Sequence, residues 1–124
     1  RVVESWGAAQ LQNRFRELAG RNMNGEDYAA WAAIRSMGTA VTDLNSANPA
    51  DILNFLFSDK FQLAAFKGRK LTFRDWNGQL RQPIPLVHPR GLVARAPFEG
   101  FLHPNTEMDT LGFDRPESEC RING

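Results

Sequence analysis

Residues 66–84 read FKGRKLTFRDWNGQLRQPI, and this stretch decides what kind of fold the chain can make. Leu71 and Phe73 alternate with Lys70, Thr72 and Arg74, a period of two that belongs to a strand with one apolar and one polar face. DWNG, from Asp75 to Gly78, is a turn signal, because asparagine and glycine tolerate the positive φ that tight hairpin turns require. Beyond it an extended run resumes from Leu80 to Val87. Pro83 and Pro85 have no amide hydrogen for a neighbour, so this arm is expected at a sheet edge or only partly paired. GLVARA, from Gly91 to Ala96, supplies another short strand. A hairpin seldom makes a fold alone. Its charged face is therefore ordinary surface, a nucleic-acid platform, or the edge of a larger lobe.

Upstream the period lengthens to that of a helix. Leu11, Phe15 and Leu18 share one face of a segment from about Ser5 to Ala19, which Gly20 stops. Asn24 caps a second helix, with Glu26 and Asp27 well placed on its dipole. Trp31, Ile34, Val41 and Leu44 form a stripe along it that is expected to be buried, and the alanines from Ala29 to Ala33, with Gly38, allow close approach by a neighbour. In NPAD, Asn48 caps a third helix, Pro49 suits its first position and Asp51 its first turn. Ile52, Leu53, Leu56 and Phe57 form its apolar side, and it is expected to end near Ser58. From Pro97 onward neither period holds, yet Phe98, Phe101, Leu102, Leu111 and Phe113 are too many apolar residues for a solvated linker. The tail is expected to lie across a preformed surface. The chain thus divides into a helical segment over 1–58, a hairpin with strands over 59–96, and an irregular tail over 97–124.

Length and charge bound the rest. A chain of 124 residues suffices for one small domain, which at this size buries roughly two thirds of the surface of its unfolded chain. Fifteen basic residues against 14 acidic ones leave +1, with no strong general attraction to phosphate or anionic lipid. No apolar run approaches the roughly 20 residues that span a bilayer, and RVVESWGAAQ at the start lacks the apolar stretch of a signal peptide. The chain is expected to be soluble. Cys120 is the only cysteine, which leaves no internal disulfide and no cysteine-based metal cluster.

Chemistry-bearing motifs are sparse. KGRKLTF, from Lys67 to Phe73, has Arg69 where an RNA-recognition strand needs an aromatic, so no nucleic-acid partner is expected. His88 and His103 form no helical i, i+4 pair and lack a third strong ligand, so neither a metal nor another cofactor is expected. There is no G-x-S-x-G elbow, Cys120 lies outside any periodic element, and no carboxylate stands where a perturbed pKa is predicted. No catalytic residue is assigned, and the chain is expected not to be an enzyme. Trp6, Tyr28, Trp31 and Trp76 can line a pocket for a flat ligand. Trp31 reads first as core and Trp76 as folding back onto its hairpin, while Tyr28, at the mouth of the second helix, is balanced between packing and a site.

DYAAWAAIRSMGTAV (27–41), NPADILNFL (48–56) and FKGRKLTFRDWNGQLRQPIPLV (66–87) follow one another in an order that resembles the C-terminal portion of the type I periplasmic substrate-binding proteins. These are the branched-chain amino acid receptor-like components of ATP-binding cassette importers. In that family a Tyr-x-Ala helix precedes a Pro-started helix, a glycine before a short strand, and a D-x-x-G hairpin. GAAQLQNRFRELAGRNM (7–23), WNGQLRQPI (76–84) and EGFLHPNTEMDTLGFDRPESECR (99–121) resemble the subgroup associated with pyrroloquinoline quinone-dependent alcohol dehydrogenase systems. A complete receptor of this kind has two α/β lobes around a ligand cleft, and this chain is too short for both.

The resemblance implies an α/β fold: the C-terminal segment of a two-lobed binding protein, with residues 1–58 in one lobe and 59–96 in the other. The hairpin would be the outer edge of a lobe, its turn solvated and its apolar side resting on strands absent from the chain. Tyr28 is the implied ligand-binding residue, with Asp27 and Trp31 weaker candidates. The implied function is that of a periplasmic solute-binding component of an importer linked to quinoprotein alcohol oxidation. Its partners would be a small-molecule ligand, the membrane permease, and an N-terminal lobe or companion chain that completes the cleft. The alternative is an accessory subunit docking onto a periplasmic quinoprotein dehydrogenase or cytochrome.

Overall fold

The computed structural model describes residues 7–100 and 103–122. Trp6, Phe101 and Leu102, together with the expected helix start at Ser5, lie outside the described residues. Helix α1 spans Ala9–Ala19 and ends where Gly20, at φ +69°, donates its amide to the Arg16 carbonyl. Leu11 and Phe15 are half-buried, but Leu18 is 89% exposed, so the face that packs is narrower than the periodicity predicts.

Helix α2 spans Gly25–Leu44 behind a capping box. The Asp27 amide donates to the Asn24 side chain and the Asn24 amide to the Asp27 carboxylate, both at 2.9 Å. Its packed face is not the stripe of large residues. Ala32, Ser36 and Ala40, at i, i+4 and i+8, are buried, whereas Ile34 is 66% and Val41 38% exposed. Small side chains let a neighbouring backbone come close, and that contact displaces the larger residues to the outer side. The Ser36 hydroxyl donates to the Ala32 carbonyl at 2.8 Å, so no polar atom of this stripe is left unsatisfied. Helix α3, Pro49–Leu56, packs on α2; the Asn48 side chain accepts from the amides of Ala50 and Asp51.

Strand β1, Leu63–Ala64, pairs antiparallel with β2, Lys70–Phe73, which pairs antiparallel with β3, Leu80–Arg81. Residues 61–66 alternate between buried and exposed, so Phe61, Leu63 and Ala65 point into one core with Leu71 and Ala32. Strands β4, Ile84–His88, and β5, Gly91–Ala96, form a separate two-stranded sheet. The expected run from Leu80 to Val87 is therefore two strands in two sheets. Pro83, buried and without an amide hydrogen, lies at the break. Over the described residues the protein is a small mixed helix-and-sheet structure with two antiparallel sheets.

Two expectations about the hairpin are corrected. Its apolar side rests on its own chain: the Phe73 ring stacks on Phe61 at 5.7 Å and meets Phe57 edge-on at 6.0 Å. Nor is its turn solvated, because Trp76, Asn77 and Gly78 are half-buried and the Ile122 methyl stands against Gly78. The tail carries two short 3-10 helices, Glu107–Thr110 and Arg115–Glu117. Its anchoring is polar: Met108 and Asp109 are buried, whereas Phe98 and Phe113 are 49% and 73% exposed.

Candidate functional site

A groove of about 560 Å³ opens between α1, α2 and the loop that joins β1 to β2. Helical spacing places its walls. Gln10 and Arg14 stand one turn apart on α1, Trp31 and Arg35 one turn apart on α2, and the stretch from Ala64 to Lys70 closes the third side. Trp31 and Arg35 lie beside the buried Ala32–Ser36 stripe, so close packing of small residues on one face of α2 positions the groove residues on the next.

The loop folds over because two residues leave the ordinary backbone regions. Phe66 has φ +56° and Gly68 φ +79°. For glycine this conformation is free of strain, but for a phenylalanine it costs roughly 1 kcal/mol. Surrounding contacts hold it there. The Tyr28 hydroxyl donates to the Ala65 carbonyl at 2.6 Å, the Phe66 and Trp31 rings lie 5.7 Å apart, and the Lys67 ammonium sits 4.5 Å above the Tyr28 ring. Burial pushes the Tyr28 phenol up to about 12 and the Lys67 ammonium down.

The three residues singled out from sequence therefore have different places. Trp31 lines the groove, and Tyr28 stands behind the loop as its brace. Asp27 does not line the groove. It closes the cap of α2 and accepts two hydrogen bonds from Arg21, at 2.5 and 2.8 Å. That guanidinium, together with the Asn24 amide, lowers its carboxyl to about 2. A perturbed carboxylate thus exists where none was expected.

Electrostatically the groove is one-sided. Arg14, Arg35, Lys67, Arg69 and Lys70 line it, and among the described residues no carboxylate does. Arg69 pairs with Glu107 of the tail, whereas among the described residues Arg14, Arg35 and Lys70 have no ion-pair partner. A near-zero net charge conceals this concentration. Three of its five cations are visible as KGRK, but nothing in the sequence brings Arg14 and Arg35 to the same place.

A second polar cluster is structural. Arg74, 1% exposed, donates from Nε to Asp109, from Nη1 to the Gln79 side chain and the Phe113 carbonyl, and from Nη2 to the carbonyls of Met108 and Leu111. Each of its nitrogens is already engaged, so none is left to recognise a ligand. Arg81 binds both oxygens of Asp109, at 2.7 and 3.2 Å. Trp76 packs against the guanidinium groups of Arg74, Arg81 and Arg115, 5.2 to 5.5 Å from its ring.

His103 is equally committed. Its Nδ1 accepts from the amides of Asn105 and Thr106, which places the proton on Nε2, where it is donated to Asp114 at 2.9 Å. This bond draws the Asp114 carboxyl below its ordinary range. Neither ring nitrogen is open to act as a general base. No group of three or more metal-binding side chains occurs among the described residues. The chain matches no protein-family model, no curated protein and no solved structure.

Proposed function

We propose that the chain is a non-enzymatic solute-binding component whose groove holds a small organic anion. The supporting observation is the lining itself, which among the described residues has five basic side chains and no carboxylate beside the paired rings of Trp31 and Phe66. Cations set into partly apolar walls hold an anion more strongly than cations on open surface, because the surrounding low dielectric sharpens each attraction. Arginine adds two parallel donors that match a carboxylate.

The resemblance in motif order supports reading this component as part of a periplasmic receptor of the two-lobed kind, feeding a membrane permease of an importer linked to quinoprotein alcohol oxidation. On that reading the groove is one side of a cleft that an N-terminal lobe or a companion chain completes, and closure buries the ligand. Calorimetry with small dicarboxylates tests the site. Saturable, salt-sensitive binding is expected, at least about tenfold weaker in Arg35→Gln. Absence of binding to any organic anion would exclude it.

One feature favours a second reading, an accessory subunit of a periplasmic quinoprotein dehydrogenase or cytochrome. Ile84, Leu86, Val87 and Val93 on the β4–β5 sheet are 41% to 72% exposed, a concentration of apolar surface suited to a protein partner. Size exclusion with mass spectrometry on native material separates the two. A companion chain carrying a second lobe supports the receptor, and a co-eluting dehydrogenase supports the accessory subunit.

A further inference from the structure

We infer that the groove selects flat aromatic anions bearing two acid groups over aliphatic anions of the same charge, an inference that rests on the groove being the solute site. The decisive residue is Phe66. Its backbone is in the left-handed region at φ +56°, yet the residue is 39% exposed, so the strain does not serve core burial. Asparagine or glycine would adopt this backbone more readily. Strained residues persist where neighbours over-determine them, and such places are commonly ligand clamps.

The neighbours here brace both sides of Phe66. Ala65 is fixed by the Tyr28 hydroxyl, and Lys67 lies over the Tyr28 ring. The Trp31 ring supports the phenyl ring at 5.7 Å with the planes 33° apart, leaving part of the phenyl surface facing the groove. A flat ligand can stack on that surface, an arrangement that aliphatic chains cannot reproduce. The acid groups then reach cations on different walls. Arg14 stands on α1, Arg35 on α2 and Lys70 at the start of β2. Cations that converge from three elements favour two separated negative groups over one.

Isophthalate and glutarate carry two carboxylates separated by the same number of carbons and differ in the aromatic ring. Calorimetry on the full chain at about pH 8, where an unperturbed histidine is neutral, compares them directly. Isophthalate is expected to bind about three- to tenfold more tightly, the range of one aromatic stack. Phe66→Asn, which suits the same backbone, should bring the two affinities together by weakening isophthalate more than glutarate. Phe66→His, which keeps a flat ring and tolerates the left-handed region, should retain most of it. Equal affinity for the two ligands in the wild-type chain overturns the inference and leaves the anion site standing. Failure of both to bind overturns the anion site as well. A preference that survives Phe66→Asn overturns the role given to Phe66.

Discussion

Arg74 donates from Nε to the Asp109 carboxylate at 3.0 Å across 35 positions of sequence, and each residue is 1% exposed. This ion pair fastens the tail to the hairpin. Asp109 also receives Arg81, so one buried carboxylate serves two guanidinium groups. Breaking a buried pair from one side strands the remaining charge in low dielectric, at about 3–5 kcal/mol. Asp109→Asn is therefore expected to lower the free energy of unfolding by roughly that amount, measured by urea titration. A loss below about 1 kcal/mol would mean that the tail is held by something other than this cluster.

Tyr28 gives a second, independent readout because it is the only tyrosine. Burial raises its phenol to about 12, so absorbance at the tyrosinate band should rise near pH 12 rather than near the usual 10. A raised phenol favours the fold most fully below 10, and that contribution disappears as pH climbs through about 12. Tyr28→Phe removes the bond to the Ala65 carbonyl and should cost about 0.5–1.5 kcal/mol. Titration at the ordinary value would show that the ring does not brace the loop.

Much of the local structure was legible in sequence, and the reason is chemical. Asn24, Asn48 and Gly20 act at helix ends through their own backbone or side-chain bonds, which a single chain segment reveals. The turn at Asn77 and Gly78 is of the same kind. What depends on distant partners was hidden. The alternation of residues 61–66 is present, but the adjacent alanines at 64 and 65 blur its apolar contrast, so β1 has no clear signal in the sequence. The buried side of α2 is not legible, since the stripe of largest apolar side chains is the obvious packing face while the smallest ones permit the close contact. Trp31 was legible as a candidate for the groove. Arg14 and Arg35 were not, because their meeting is set by tertiary packing. The tail's grip on Arg74 and Arg81 had no local signal either.

Gly78 tests whether the hairpin turn is part of the packed structure. Its φ is +70°, and a Cβ there would stand 3.0 Å from the Ile122 methyl. Gly78→Ala therefore meets backbone strain and a close contact together. The expected destabilisation is at least about 1 kcal/mol, read as a lowered urea midpoint with an unchanged slope. A neutral substitution would show that the turn neither holds this left-handed backbone nor rests against Ile122.

Acid stability follows from Asp27. Its carboxyl is held at about 2 against an ordinary 3.8, chiefly by the hydrogen bonds from Arg21 and then by the Asn24 amide. A carboxyl lowered in the folded state stabilises the fold above its unfolded value, near 3.8, and that contribution is lost as pH falls through about 2. Asp114 adds to the same trend, because its bond with His103 lowers it too. Asp27→Asn keeps an oxygen for the Asn24 amide but removes the charge that faces Arg21. The difference in urea midpoint between wild type and Asp27→Asn is expected to be largest above about pH 4 and to shrink toward pH 2. High salt should reduce it, since the Arg21 side chain is 54% exposed and the pair is open to screening. A difference that stayed constant down to the lowest pH would assign the effect to the cap alone, with Arg21 contributing nothing.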